Sequence, residues 1–409
     1  MNLTQIYRLY IIGLVAMMLI FVSLNPLTNS DFHMKNDEGY YYKYANSEVL
    51  HGKKVFHRLI NWYADNSEAR NHPSPLRVGY ILLIAVLFKS FGFPSFYIMA
   101  LISTLSFIIF LFVGFHYVRK YFDLDTALLT LLFLSSSPLL LGLSRRGLID
   151  SSANLLWTLA MWLFLDVLSR PGLYSYIFFL LTLMIAITFK EATLILIPFF
   201  TIAGIIGQRN GAMIKNYQIG GIVIFPLISL SIFYAWIYGG FGVFQAAILG
   251  ITKTHFISNY PNPYAFNYCS GPWFRYLLDF LLLIPIELLL FIGYTGYLCV
   301  NRKALDLKRT YLVLYFVYVY SVLNSLAHSK VIRFVASLEM VIALFAVLML
   351  VELFKGLKDN KGRVILIYCS FSILISNWSC FMNIVYKTAL LDPISFSLLM
   401  YRHFFPMLK

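Results

Sequence analysis

Acidic residues are scarce in this chain, 18 Asp and Glu among 409, and only 12% of all positions are charged. That excludes an ordinary soluble domain, in which about a quarter of residues are charged. Cysteine is sparse too. Cys269, Cys299, Cys369 and Cys380 show no paired spacing, so neither a zinc site nor a disulfide framework organises the fold. Isolated cysteines in apolar helices usually pack as small hydrophobes; a bridge between Cys269 and Cys380, on one expected face, is the alternative. No Gly/Ser-rich or Pro-rich linker and no evident repeat divides the chain, which reads as one domain over 1–409 without a separate soluble module. Matched broken helices in two halves, the mark of an inverted-repeat transporter, are missing as well.

What the chain has in abundance is apolar and aromatic side chains, 60% and 18%, in runs close to the length of a bilayer-spanning helix. An all-α polytopic membrane protein follows, with eleven spans expected near 6–24, 95–118, 124–142, 151–168, 173–188, 192–207, 217–238, 276–299, 310–327, 334–353 and 364–380. No small-residue cleavage site follows the first run, so it reads as a retained anchor. A net charge of +14 would suit nucleic acid if it were clustered. Instead Arg119 and Lys120, Arg170, Arg209 and Lys215, and the basic stretches 301–309 and 354–363 recur at alternate breaks, as cytoplasmic loops do. Membrane lipids are the expected surroundings, with no nucleic-acid partner.

The apolar segment 76–91 is short for a span, and an interfacial or re-entrant helix is expected there; a short tilted twelfth span is the alternative. With 76–91 not crossing, the amino terminus lies inside. Residues 25–94 then form a first outer loop with juxtamembrane helices, and 239–275 form a second. Six of the eighteen acidic residues fall between Asn25 and Pro75, so polar chemistry gathers outside the hydrocarbon.

Five elements share that outer face. Asp37 and Glu38 follow the first span, beside Tyr40, Tyr41, Tyr42 and Tyr44; a carboxylate there suits a general base on a hydroxyl, or else the pair caps an interfacial helix. In His72-Pro73-Ser74-Pro75-Leu76 two prolines hold an extended lead-in to a helix, and His72 is a candidate phosphate contact. Arg145 and Arg146 precede Asp150 at a helix start. Two guanidinium groups suit a phosphate, and Asp150 suits a sugar hydroxyl, a metal or an arginine; alternatively Asp150 caps its helix and the arginines meet lipid headgroups. Lys190 and Glu191 occupy a short turn, as site residues or a simple neighbour pair. Lys330 and Arg333, three apart, can share a helix face or snorkel to the interface.

The order and spacing of these elements resemble the GT-C membrane glycosyltransferases, in the group of the protein O-mannosyltransferases and lipid A aminoarabinose transferases. The resemblance rests on Asp37-Glu38 after the first span, His72-Pro-Ser-Pro-Leu76, Phe91-Gly92 closing a juxtamembrane helix, Ser144-Arg145 with Asp150, Lys190-Glu191, the Gly-Pro-aromatic segment at 271–273, and Lys330-Val-Ile-Arg333-Phe334. Ser74 departs from the commoner proline. The short stretch after Phe381 leaves no room for a sizeable soluble acceptor-reading domain.

The resemblance implies a GT-C fold in a plasma membrane and a polyprenyl-phosphate sugar donor. It also implies inverting transfer to an acceptor hydroxyl of an envelope glycan, lipid or protein at the periplasmic or exterior face. Asp37 is then the expected base and Glu38 the acceptor-positioning residue. Arg333, Lys330, Arg145 and His72 face the donor phosphate, while Asp150, Lys190 and Glu191 complete the donor site. A divalent cation is possible in that group and is left open. Glu287, deep in an apolar run beside Pro285, supports a rival reading as the proton-coupling site of a transporter or flippase.

Overall fold

The computed structural model describes residues 3–52, 54–66, 72–170, 172–242, 268–326, 330–355 and 360–386, with 245, 393, 394 and 397. All regular elements among these residues are helical. Helix α1 (Leu3–Leu24) is followed by a polar excursion: α2 (Ser30–His33), α3 (Asp37–His51), α4 (Lys54–Asp65) and the apolar α5 (Val78–Phe91). Asn29 opens α2, its side-chain oxygen accepting the amides of Asp31 and Phe32. Asp37 and Glu38 lie in the first turn of α3, where unpaired amides and the helix dipole favour negative charge.

The His-Pro-Ser-Pro segment, expected to be extended, ends in a turn at Pro75–Leu76 closed by Arg77 N–H on the Ser74 carbonyl at 3.3 Å, and tyrosines hold it in place. Tyr44 donates to the Pro73 carbonyl at 3.2 Å, Tyr238 to Pro75 at 2.9 Å and Tyr234 to Leu76 at 2.9 Å. Ser74, the departure from proline, has its hydroxyl accepting the Leu76 amide at 3.1 Å, a turn that proline cannot make.

The bundle continues with α6 (Phe96–Tyr121), α7 (Leu124–Ser136), α8 (Pro138–Ser144), α9 (Asp150–Ser169) and α10 (Leu173–Phe189). A 3-10 turn, Glu191–Ile195, leads into α11 (Leu196–Arg209), and α12 (Asn216–Tyr238) follows. Beyond the second loop come α13 (Arg275–Leu283), α14 (Pro285–Val300), α15 (Leu307–Asn324), α16 (Glu339–Phe354) after the 3-10 turn Ile332–Leu338, and α17 (Asn360–Cys380), which runs on as a π turn, Phe381–Tyr386.

All eleven expected segments are helical, but they do not all cross as single rods. Among the described residues seven helices are long and apolar enough to span, or eight if a bent pair counts as one. The expected span 124–142 is that pair: Ser137 leaves the helix, caps α8 through Leu140 N–H, and Pro138 starts the new axis at 63°. The expected span 276–299 is broken at Ile284, because Pro285 has no amide to continue α13. Helix α10 has 17 residues and α14 has 16. Segment 76–91 forms a 14-residue helix, about 21 Å long at 1.5 Å per residue against a hydrocarbon core of about 30 Å.

Burial grades from centre to rim. Of the most apolar 18 residues, 83% are buried in Ile332–Phe354 and 72% in Asp150–Ser169, against 28% in α1, α12 and Val364–Tyr386. The rim exposes Ile20, Phe112, Phe178, Ile232 and Leu289, an apolar surface too extensive for water and suited to lipid. The chain is an all-α, multi-pass integral membrane protein. The four cysteines are free thiols.

Candidate active site

Three segments distant in sequence meet at one guanidinium, and a fourth joins them through Asp150. Arg333, in the 3-10 turn before α16, places Nη2 2.5 Å from Asp37 Oδ2 and Nη1 3.5 Å from Asp150 Oδ2. Lys190 Nζ donates to the other oxygen of Asp150 at 2.7 Å. Anion and cation thus alternate along Asp37, Arg333, Asp150 and Lys190. The row also grades in exposure: the Asp150 and Lys190 side chains are 2% and 7% exposed, Arg333 20% and Asp37 32%. Its open end is therefore Asp37, of which only Oδ2 is engaged among the described residues. The Phe334 ring lies under both cations, 4.6 Å from Lys190 Nζ and 5.6 Å from Arg333 Cζ.

Local structure explains the meeting. Asp150 is the first residue of α9 with Ile149 as its cap, so the carboxylate is not spent on capping and turns to the cations. The loop before it is pinned by backbone carbonyls: Ser103 donates to Leu148 at 3.0 Å, Thr104 to Ser144 at 2.9 Å and Tyr80 to Gly147 at 3.0 Å. A Cβ on Gly147 would lie 2.7 Å from the Met99 Cβ, so only glycine lets α6 approach. Lys190 leaves α10 in extended backbone, which separates it from Glu191.

Glu191 and Lys190 are therefore not a neighbour pair. Glu191 accepts both Arg77 Nε and Nη2, at 2.9 and 3.0 Å, and Arg77 also donates to the Tyr41 hydroxyl. This fork ties α5, α3 and the Lys190 turn together. Arg77 was not among the expected residues; its only signal is a cation directly after the proline turn.

Glu38 points inward. It is fully buried, with Oε1 2.7 Å from both Arg146 Nε and Nη2 and 3.2 Å from His33 Nδ1, while Oε2 has no partner among the described residues. Burial works to raise its pKa, but Arg146 and His33 outweigh burial and bring it down to about 2. The carboxyl expected to position an acceptor is instead an internal brace. On Gly39 a Cβ would meet the Met34 carbonyl oxygen at 2.3 Å, so glycine is required where α2 and α3 close on each other.

The two arginines at 145 and 146 diverge. Arg145, expected at the donor phosphate, donates Nε to the Asn25 carbonyl at 2.6 Å and stacks 4.5 Å from the Tyr386 ring. Lys330 likewise leaves Arg333: its Nζ donates to the Gly271 carbonyl at 2.7 Å and its amide to Cys269, fastening the end of the second loop. His72 stacks on Tyr40 at 4.0 Å between ring centres, Nε2 2.9 Å from that hydroxyl. Most of 239–275, with Lys253, His255 and Tyr264, lies outside the described residues.

Among the described residues no three His, Cys, Asp or Glu side chains converge as metal ligands. Asp37 and Asp150 face cations, so a divalent ion there would have to displace Arg333. Glu287 lies elsewhere, buried in the bundle. Its Oε1 accepts Asn377 Nδ2 at 2.5 Å, the same nitrogen lies 3.2 Å from Ser136 Oγ, and Glu339 accepts from Ser137 nearby in sequence to that serine.

Comparison with known proteins bears on the fold. Residues 71–236 match a family model described as dolichyl-phosphate-mannose-protein mannosyltransferase. A search of curated protein sequences finds no match. Among solved structures, ArnT from Cupriavidus metallidurans in the apo state superimposes with a TM-score of 0.56 at 14% identity, covering 85% of this chain and 60% of that one. ArnT from the same organism bound to undecaprenyl phosphate gives 0.59 at 14% identity, covering 83% and 60%. The chain thus spans about 60% of ArnT's length. Family model and fold both fall within the group that the motifs resemble.

Proposed function

Because the chain carries the GT-C fold of membrane glycosyltransferases, we propose that it transfers a sugar from a polyprenyl-phosphate carrier to an acceptor hydroxyl at the outer membrane surface. The observation that carries this reading is the Asp37–Arg333–Asp150–Lys190 row, which joins four separate motifs into one charged site with its exposed end at a carboxylate. Support for the carrier comes from ArnT, which shares the fold and whose structure is known bound to undecaprenyl phosphate. Support for the outer face comes from the basic breaks 119–120 and 301–309, which read as cytoplasmic.

The acceptor oxygen attacks the anomeric carbon from the face opposite the phosphate. As the new C–O bond forms, its proton passes to Asp37, and the old bond breaks with its electron pair leaving on polyprenyl phosphate, so configuration inverts. Arg333 and Lys190 are the donors aimed at the departing charge. The resting pairing adds a gating step: a phosphate that takes Arg333 competes with Asp37 for it, and binding the donor releases the base. Glu38 acts from behind, bracing the first turn of α3 through Arg146. The Arg77–Glu191 fork holds the Lys190 turn.

A specific observation supports the rival reading as well, since Glu287 is buried with Oε2 unpartnered among the described residues. Both are tested by reconstituting wild type, Asp37→Asn and Glu287→Gln in liposomes with a panel of polyprenyl-phosphate sugars and an envelope acceptor fraction. Transfer requires that polyprenyl phosphate be released by wild type and Glu287→Gln and not by a folded Asp37→Asn. No release, with labelled lipid crossing the bilayer only while Glu287 is intact, would establish transport instead.

A further inference from the structure

Arg145 is left over by this reading, and it sits at the head of a groove that the site does not use. Helices α1 and α17 both lean on α7 at the rim of the bundle, and between them runs an apolar groove of about 440 Å³. Met17 and Phe21 form one wall, Phe371, Leu374 and Trp378 the other. From Leu14 to Phe21 it follows about 10 Å of helix.

At its upper end the walls become a continuous aromatic stack. Phe21 lies 5.0 Å from Trp378 and 6.0 Å from both Phe381 and Tyr386, ring centre to ring centre. Those last two rings are the ones that cover Arg145, at 5.7 and 4.5 Å from its Cζ. Arg145 is 4% exposed, Nε is taken by the Asn25 carbonyl, and Nη1 is buried with no partner among the described residues. A buried cationic donor without an acceptor is costly, and an anionic oxygen satisfies both its charge and its N–H.

We propose that this groove seats one anionic glycerophospholipid of the surrounding bilayer, an acyl chain between α1 and α17 and the headgroup phosphate on Arg145. Both walls belong to spans only 28% buried, so the groove opens to the bilayer itself. A sugar carrier is the poorer occupant. Among the described residues Arg145 pairs with no carboxylate, and Arg146 turns away to Glu38, so a sugar held at this guanidinium would meet neither Asp37 nor Arg333.

Trp378 in the wall provides the probe. In phosphatidylcholine nanodiscs, brominated phosphatidylglycerol or phosphatidylcholine with identical acyl chains is titrated in, and the Trp378 signal is taken as the difference between the full chain and Trp378→Phe. The expected result is half-quenching by the phosphatidylglycerol at about fivefold lower mole fraction, the preference worth one basic residue at a membrane surface. Arg145→Gln should equalise the two lipids and Arg145→Lys should keep most of the preference. Equal quenching by both lipids in wild type overturns the proposal without need of any variant, as does a preference that survives Arg145→Gln. Relief of quenching by polyprenyl phosphate at a molar ratio near one would overturn it in favour of the carrier.

Discussion

Replacing Arg146 with glutamine should give stability a pH dependence over the neutral range that the wild type lacks. In the wild type the Glu38 carboxylate is fully buried and depressed to about 2 by Arg146 and His33 against the pull of burial. A group depressed in the folded state contributes stability above its unfolded pKa and loses it as the pH falls through the folded value. The wild-type contribution, roughly 3 kcal/mol from a shift of this size, is thus constant above about pH 5 and disappears toward pH 2. Without Arg146 the same burial dominates and raises the carboxyl. Stability then declines as the pH climbs from the unfolded pKa toward the raised folded one, and removing one partner of a buried pair costs about 3–5 kcal/mol. Unfolding in mixed micelles containing dodecyl sulfate, followed by circular dichroism at about pH 5 and about pH 8, should show wild type level and Arg146→Gln weaker at the higher pH. Adding Glu38→Gln should restore much of the loss and remove the slope. Parallel pH profiles for wild type and Arg146→Gln, or a double variant as weak as the sum of the single ones, would refute the reasoning that Glu38 is an internal anion braced by Arg146.

Three further outcomes follow from the site. Asp37→Asn should lower kcat by about 10²–10⁴ while leaving the micelle unfolding curve in place, measured as polyprenyl phosphate released per folded protein. Arg333→Lys should lower kcat by about 10²–10³ with a smaller change in donor KM, because the loss falls on charge that develops as phosphate departs; a pure KM effect would assign Arg333 to ground-state binding. Arg77→Met should destabilise by about 1–3 kcal/mol by removing both hydrogen bonds to the partly buried Glu191 carboxylate, and Arg77→Met with Glu191→Met should recover stability more than activity.

Much of this site is legible in the sequence because a charged residue in an apolar chain is conspicuous. Asp37, Asp150, Lys190 and Arg333 stand out individually, and the structure joins them into one row. What the sequence withholds is direction. Adjacent residues on a turn diverge, so Asp37 and Glu38 face opposite ways, as do Arg145 and Arg146, and nothing local says which member of each pair faces the site. Lys330 and Arg333 lie three apart, but their segment begins extended and continues as a 3-10 turn, so the shared helix face presumed for them does not exist. The helix break in 276–299 was readable in principle from Pro285, whereas the 63° turn at Ser137 depends on a hydroxyl that caps the next helix and a neighbour, Glu339, some 200 residues away.

Charge balance in the row ties structure to mechanism. Asp37, Arg333, Asp150 and Lys190 sum to neutrality, which is why two carboxylates and two cations can persist in a poorly hydrated place. An arriving phosphate breaks that neutrality, and the structure offers one inexpensive adjustment. Asp150 and Lys190 are buried and held at 2.7 Å, whereas Asp37 is the most exposed member and has one carboxylate oxygen unengaged among the described residues. The pair that yields is therefore Asp37–Arg333. The residue released by donor binding is the one whose carboxylate can take a proton from an acceptor, so the order of binding, donor before acceptor, follows from the gradation of burial along the row. Initial-rate kinetics should show an ordered pattern with donor first, and this order should become random in a folded Asp150→Asn variant, whose weakened hold on Arg333 lets that side chain move without the phosphate.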